Sequence, residues 1–329
     1  MSPPAYATST SVPAGAGART PDSQSPGHRR RIGPALAIVY LVWGSSFLAT
    51  KVMVTHEPPL LAAGLRFTLA GLLLGSIAWW RHGPPRFSRQ EVRHVLAVMA
   101  GSIVVSNGFN VVAMQHVASN VSAVLNATPA LMIAWLATFG RRAAPLSGSA
   151  RLGLATGLGG VLLVLWPDDV TVLGAGIRWQ LLILVGCFGW SFATVYFRNA
   201  TILNAPLMFL SLQMLTGGAA LLAWAALDGG GLAMNWTPGG TAAFLWLTLM
   251  SSCLAYSAYQ FLALYAAPVV VGSYAYVNPG IAALLGWLAL GETLTPMKLA
   301  GMVVILLGVA LVTGYAGRLT RLVHRRPQV

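Results

Sequence analysis

The sequence predicts an all-α polytopic membrane protein with ten transmembrane helices, arranged as two inverted five-helix repeats. Three observations predict it. The chain is 56% hydrophobic and 8% charged over 329 residues, whereas a soluble domain carries about 25% charged residues. Its apolar residues fall into ten runs, each near the roughly 20 residues that cross a bilayer. The last five runs also repeat features of the first five. Asn110 matches Gln260, Val121 matches Val271 and Pro129 matches Pro279, all at a shift of 150.

Residues 1–32 are rich in Ser, Pro, Ala and Gly and end in His28-Arg29-Arg30-Arg31. That composition reads as a disordered cytoplasmic tail. The first apolar run starts late and no small-residue cleavage site follows it, which argues against a removed signal peptide. The runs then fall at 33–54, 59–80, 93–115, 119–140, 148–166, 177–198, 205–227, 238–264, 269–290 and 296–316. Pro58-Pro59, Pro84-Pro85, Pro145, Pro167, Pro206, Pro238, Pro268 and Pro296 mark loops or first helical turns. The repeats are expected to span 33–166 and 167–316, with a basic cytoplasmic tail at 317–329.

Basic residues orient the bundle. With the amino terminus in the cytoplasm, 16 of the 20 Lys and Arg fall on the cytoplasmic side. Only Arg178 and Lys298 fall in outer loops, while Lys51 and Arg66 lie within helices. The expectation is a multi-pass protein of the cytoplasmic membrane with both termini inside. The net charge of +13 is spread in short clusters between apolar runs, so it serves orientation and not nucleic acid. The two cysteines, Cys187 and Cys253, lie in apolar runs and imply neither disulfide nor metal.

Two segments stand out. Tyr274–Thr295 carries Pro279 near its middle, and Val121–Gly140 carries Pro129. A proline deep in a hydrophobic helix removes a backbone hydrogen bond, so both are expected to be helix breaks. Paired broken helices in the two halves of a duplicated membrane protein point to a transporter with its site between them.

With these residues in view, the chain resembles the drug/metabolite transporter superfamily in its EamA-type ten-helix branch. The resemblance rests on Val42-Trp43-Gly44-Ser45-Ser46-Phe47 with Lys51, on Pro58-Pro59 leading into Leu65-Arg66-Phe67, and on Asn278-Pro279, Gly291-Glu292 and Leu299-Ala300-Gly301. It covers about residues 35–315. One departure is clear: the first-half counterpart of Gly291-Glu292 reads Gly140-Arg141. The resemblance implies secondary transport of small metabolites, often export of amino acids or drugs. It implies no cofactor and no enzymatic activity.

Several residues could form a substrate site. Lys51 and Arg66 are charges within helices. Each either snorkels toward the surface or receives an anionic group such as a substrate carboxylate. Asn107 and Asn110 share one helix face, as do Tyr256, Tyr259 and Gln260, and Tyr274 with Asn278. Asn126 precedes Pro129. These buried amides and phenols serve either as glue between helices or as the wall of a wet cavity. Trp43, Phe47 and Trp190 could supply apolar walls. Trp79, Trp80, Trp166, Trp179 and Trp236 fit the interfacial belt, and Gly71/Gly75 and Gly153/Gly157 fit close helix packing.

No acid lies centrally in an apolar run, so carboxylate-based ion coupling inside the bundle is not expected. Glu292 reads as a helix cap or brace. The six histidines lie in tails, loops or helix ends, without the constellation an intramembrane enzyme needs. The leading expectation is export of an amino acid or related zwitterionic or amphipathic metabolite by alternating access. A drug or organic-cation exporter is the alternative, an intramembrane enzyme a distant one. The partners are a small-molecule substrate and the lipid bilayer, and the unit is a monomer or a homodimer.

Overall fold

The computed structural model describes residues 26–85, 87–136, 138–139, 147–166, 176–200, 205–229, 231–266 and 268–313. The regular structure among them is helical throughout. Ten apolar segments follow in order: α1 Arg30–His56, α2 Pro59–His82, α3 Arg89–Ala113, α4 Ser119–Leu136, α5 Gly148–Leu165, α6 Ile177–Phe197, α7 Pro206–Asp228, α8 Pro238–Tyr265, α9 Tyr274–Leu290 and α10 Pro296–Val312. The first eight are long and apolar enough to cross a membrane, and α9 and α10 are shorter apolar helices. The chain is an all-α polytopic membrane protein.

Helices pair in a way that exchanges the two halves. α1 packs on α8 and α9, and its counterpart α6 packs on α3 and α4, while α2 pairs with α7 and α5 with α10. Glycines set the last two pairings by letting backbones approach. A methyl on Gly153 would stand 2.6 Å from the Gly308 carbonyl, and one on Gly160 would stand 2.9 Å from that of Gly301. On the other pair, Gly64 faces Leu222 and Gly75 faces Ser211. As numbers rise on one helix they fall on its partner, so equivalent helices of the two halves run antiparallel. The repeats are inverted.

Two of three local features differ from what the sequence suggests, while the second, the break in α4, matches it. The helix leading into α1 begins at Pro26, so residues 28–31 lie inside a helix and not at the end of a tail. Proline is well suited to a first helical position, because its fixed φ is already helical. The rest of the amino-terminal tail, residues 317–329 and Gly140-Arg141 lie outside the described residues.

The second feature is α4, which is two pieces, Ser119–Leu125 and Pro129–Leu136. Pro129 has no N–H for the Leu125 carbonyl, and Thr128 takes that carbonyl instead, through Oγ1 at 2.7 Å and N–H at 3.0 Å. The third is α9, where the expected break at Pro279 is absent. The helix runs unbroken from Tyr274 to Leu290. Pro279 is only its sixth residue, so the carbonyl it deprives belongs to the first turn, where the distortion of a mid-helix proline is least. The chain breaks upstream instead, at Gly272-Ser273, after the short helix Pro268–Val271. Ser273 Oγ meets Tyr40 Oη there at 2.5 Å.

The sequence did not reveal that three helices contain wide π-helical stretches: Val39–Trp43 in α1, Ala100–Gly108 in α3 and Trp246–Ala255 in α8. A π turn rotates everything beyond it relative to a regular helix and recurs at functional sites. Those of α3 and α8 occupy equivalent places in the two repeats.

Candidate functional site

Each π stretch ends within one residue of a side chain that faces the middle of the bundle: Trp43 in α1, Asn107 in α3 and Tyr256 in α8. They line a central cavity of about 120 Å³. Phe47, Arg66, Asn110, Asn126, Pro129, Trp190, Tyr274, Asn278 and Pro279 complete the sequence-predicted part of its wall. Ser46, Thr50, Ser106 and Ser251 also line it, and none of these was singled out from the sequence. Small hydroxyl residues are common inside membrane helices, and only their nearness to Trp43, Phe47 and Asn107 could have marked them.

Arg66 dominates the electrostatics. It is 3% exposed, and of the described residues only Asn107 hydrogen-bonds it, from Nη2 to Oδ1 at 3.2 Å. Its Nε is buried without a partner, and its guanidinium lies 4.2 Å from the centre of the Phe67 ring. Among the described residues, Arg66 is the one charged residue in the cavity wall. Burying a cation without a counter-ion costs several kcal/mol after relaxation. Asn107 is held in turn, donating to Ser102 O at 2.7 Å and to Tyr256 Oη at 3.2 Å. The Ser102 carbonyl lies five residues back, within the π stretch, so the wide turn and the amide support one another.

Across the cavity, Asn278 is buried and its Oδ1 has no partner among the described residues. Asn110 accepts from Ser122 Oγ at 2.9 Å, and Asn126 donates to Ser122 O at 2.9 Å. The cavity thus offers one cation with free donors, one free acceptor and several amides. An aromatic cluster forms its floor. Trp43 stands 5.0–5.8 Å, centre to centre, from Trp190, Tyr256, Tyr259 and Tyr274.

Trp190 and Tyr256 also line a second space of about 440 Å³. This vestibule is mostly apolar, with walls from Val98, Ile133, Ala193, Phe197, Leu210 and Ala263 among others, and Ser102, Gln213, Tyr259 and Gln260 as polar points. Gln213 donates to Ser102 Oγ at 2.8 Å. These residues belong to the start of α3 and α7 and to the ends of α4, α6 and α8. That is the arginine-rich end of the bundle, which also carries Arg30, Arg81, Arg89, Arg93 and Arg151.

Three sequence-predicted residues therefore stand outside the central cavity. Tyr259 and Gln260 face the vestibule, a helical turn beyond Tyr256. Lys51 reaches neither space. Its Nζ donates to the carbonyls of Met114 at 2.8 Å, Gln115 at 3.3 Å and Val117 at 3.1 Å, where α3 has run out of intrahelical donors. Glu292 does not brace the helix that follows it. It reaches the start of α4, as described below.

Comparisons with known proteins agree with this architecture. The family model described as "EamA-like transporter family" matches twice, over residues 32–166 and 177–314. The Escherichia coli protein named "Uncharacterized inner membrane transporter YedA" is 34% identical over 286 residues, covering 85% of this chain and 89% of that protein. An "Uncharacterized transporter" of Archaeoglobus fulgidus is 23% identical, covering 84% and 96%. The Arabidopsis thaliana "WAT1-related protein At3g02690, chloroplastic" is 24% identical, covering 83% and 67%. A solved crystal structure shares the fold at 18% identity, with a TM-score of 0.59 over 88% of this chain and 98% of the other. Two matches to one model, each spanning five of the ten helices, leave one assignment: the chain belongs to the EamA-like transporter family.

Proposed function

We propose that this transporter carries a small zwitterionic or amphipathic metabolite of the amino-acid kind out across the cytoplasmic membrane, by alternating access between its two repeats. Arg66 carries the proposal. A buried guanidinium with no carboxylate beside it among the described residues, and with free donors facing a cavity, is set to receive a ligand carboxylate, with charge-assisted and commonly bidentate hydrogen bonds. The unpartnered Asn278 Oδ1 suits a ligand donor such as an ammonium, and the faces of Trp43 and Tyr274 favour the same cation. The apolar part of the ligand is accommodated by the aromatic floor.

The outward direction is supported by the vestibule, which reaches the site from the arginine-rich end. With both termini cytoplasmic, as the basic residues favour, the site loads from the cytoplasm. The name of the relative YedA, an inner membrane transporter, supports the same membrane. The chain works as a carrier and not as an enzyme.

The test is counterflow in proteoliposomes with three matched probes: an α-amino acid, its decarboxylated amine and its deaminated acid. The proposal expects flux of the amino acid and weak flux of the amine. Flux of the amine and of organic cations without the amino acid would favour the drug-exporter reading, for which the aromatic cluster is the supporting observation. Binding is checked separately by thermal shift, since a ligand at about 100 times its dissociation constant stabilises by about 2.7 kcal/mol.

A further inference from the structure

Lys51 and Glu292 meet at one corner of the bundle, and that corner closes the end away from the vestibule. The corner is the turn between α3 and α4, residues 114–118, together with the first two residues of α4. Lys51 of α1 donates to the carbonyls at its start. Glu292, just after α9, accepts at its far side: Ser119 N–H at 2.7 Å, Ser119 Oγ at 2.7 Å and Asn120 N–H at 3.1 Å. A cation thus sits on a helix carboxyl end and an anion on a helix amino end, the arrangement both helix dipoles favour. α4 has no side-chain cap of its own, because Ala118 precedes it.

The seat of Glu292 is shaped for it. Gly291 takes φ +65° at the end of α9, which turns residue 292 back so that its N–H reaches Gly286 O at 3.1 Å. A methyl on Gly286 would stand 2.5 Å from Glu292 Oε2, so glycine there leaves room for the carboxylate. The corner also packs on the second repeat, where His116 stacks on Trp179 of α6 at 4.0 Å. Directly beneath the clasp lie Thr50, beside Lys51, and Ala123, one turn below Ser119. Both line the central cavity.

We propose that Lys51 and Glu292 form the outer gate of the transport cycle. They tie α1 and α9 to the α3–α4 corner while the vestibule is open, and they release it when the central cavity opens to the opposite face. Release strands nothing, because the freed carbonyls and amides of a helix end can turn to water. Glu57 provides the contrast. It holds Asn235 N–H at 2.6 Å and Thr237 N–H at 3.2 Å, joining α1 to the segment entering α8, and these two helices also pack on each other. Glu57 is a staple and takes no part in the gate. The inference rests on the alternating-access reading above.

The experiment uses single cysteines at Thr50, under the clasp, and at Thr194, in the vestibule, with Cys187 and Cys253 replaced by Ala. Proteoliposomes are treated with a membrane-impermeant thiol reagent from each face. In Glu292→Gln, Lys51→Met and Gly286→Ala, the Thr50 position should react about tenfold faster, a factor that corresponds to about 1.4 kcal/mol. The Thr194 position should slow in step. Lys51→Arg and Glu57→Gln should match the parent. Unchanged rates at both positions in the properly inserted variants overturn the gate. So does a rise at Thr50 with no fall at Thr194, which marks local loosening only. If Glu292→Gln fails to insert, Gly286→Ala and Lys51→Met carry the test. Reciprocal rates in a parent that moves no probe would leave the gate standing and sink the transport reading.

Discussion

The two ends of the bundle are built from opposite chemistry. At the arginine-rich end the helices part around an apolar vestibule, and its described walls hold no charged residue. At the other end charged side chains cap helix termini: Lys51 and Glu292 on the α3–α4 corner, Glu57 on the segment entering α8. The difference teaches how one chain can be open at one end and shut at the other. Apolar walls separate without stranding polar groups, whereas a charge on a helix end makes a short, directional and reversible bond. Arg66 lies between the two ends and belongs to neither scheme. Among the described residues it has no acid and no helix end to satisfy it.

That contrast can be broken most severely at Arg66. Arg66→Ala should cut counterflow about a hundredfold, the worth of a charge-assisted interaction near 3 kcal/mol. The melting temperature of the empty protein should hold or rise, because a buried, uncompensated cation has been removed. Next comes the frame that neither end moves. A methyl on Gly160 would stand 2.6 Å from the Ile305 amide nitrogen, and overpacking of this kind costs about 1–3 kcal/mol. Gly160→Ala should therefore lower thermal stability while leaving the ratio of cysteine reactivities at the two ends unchanged. Trp190→Ala should join cavity and vestibule, and roughly a tenfold loss of discrimination between large and small apolar side chains should appear in a competition assay, in line with pocket-filling differences of about 1–3 kcal/mol. The smallest effect belongs to Glu57→Gln. It should cost about 1 kcal/mol of stability, from weakened hydrogen bonds to a charged acceptor, with counterflow close to the parent.

Much of the site was legible because its chemistry is unusual for a membrane. Arg66, Asn107, Asn126 and Asn278 are polar groups at depths where each must have a reason, and all four line the central cavity. Lys51 carried the same signal and does something else. A long, flexible cation reaches whatever acceptor lies near, and nothing in its sequence neighbourhood shows that the end of α3, more than 60 residues away, will be there. Pro279 misled for a related reason. A proline is conspicuous in sequence, but whether it breaks a helix depends on where the helix starts, and α9 starts only five residues before it.

Composition and spacing by themselves determined the solvent, the number of helices and the duplication. Those follow from local properties: apolar run length, charge placement and matched residues such as Val121 with Val271 and Pro129 with Pro279 at a shift of 150. The tertiary structure alone decided that the glycines of α5 and α10 face one another in antiparallel order, and that π turns aim Trp43, Asn107 and Tyr256 at one point. It also decided that Lys51 and Glu292 clasp a single corner. Such facts depend on which helix end comes to rest against which side chain, and that is set by packing among segments distant in the chain.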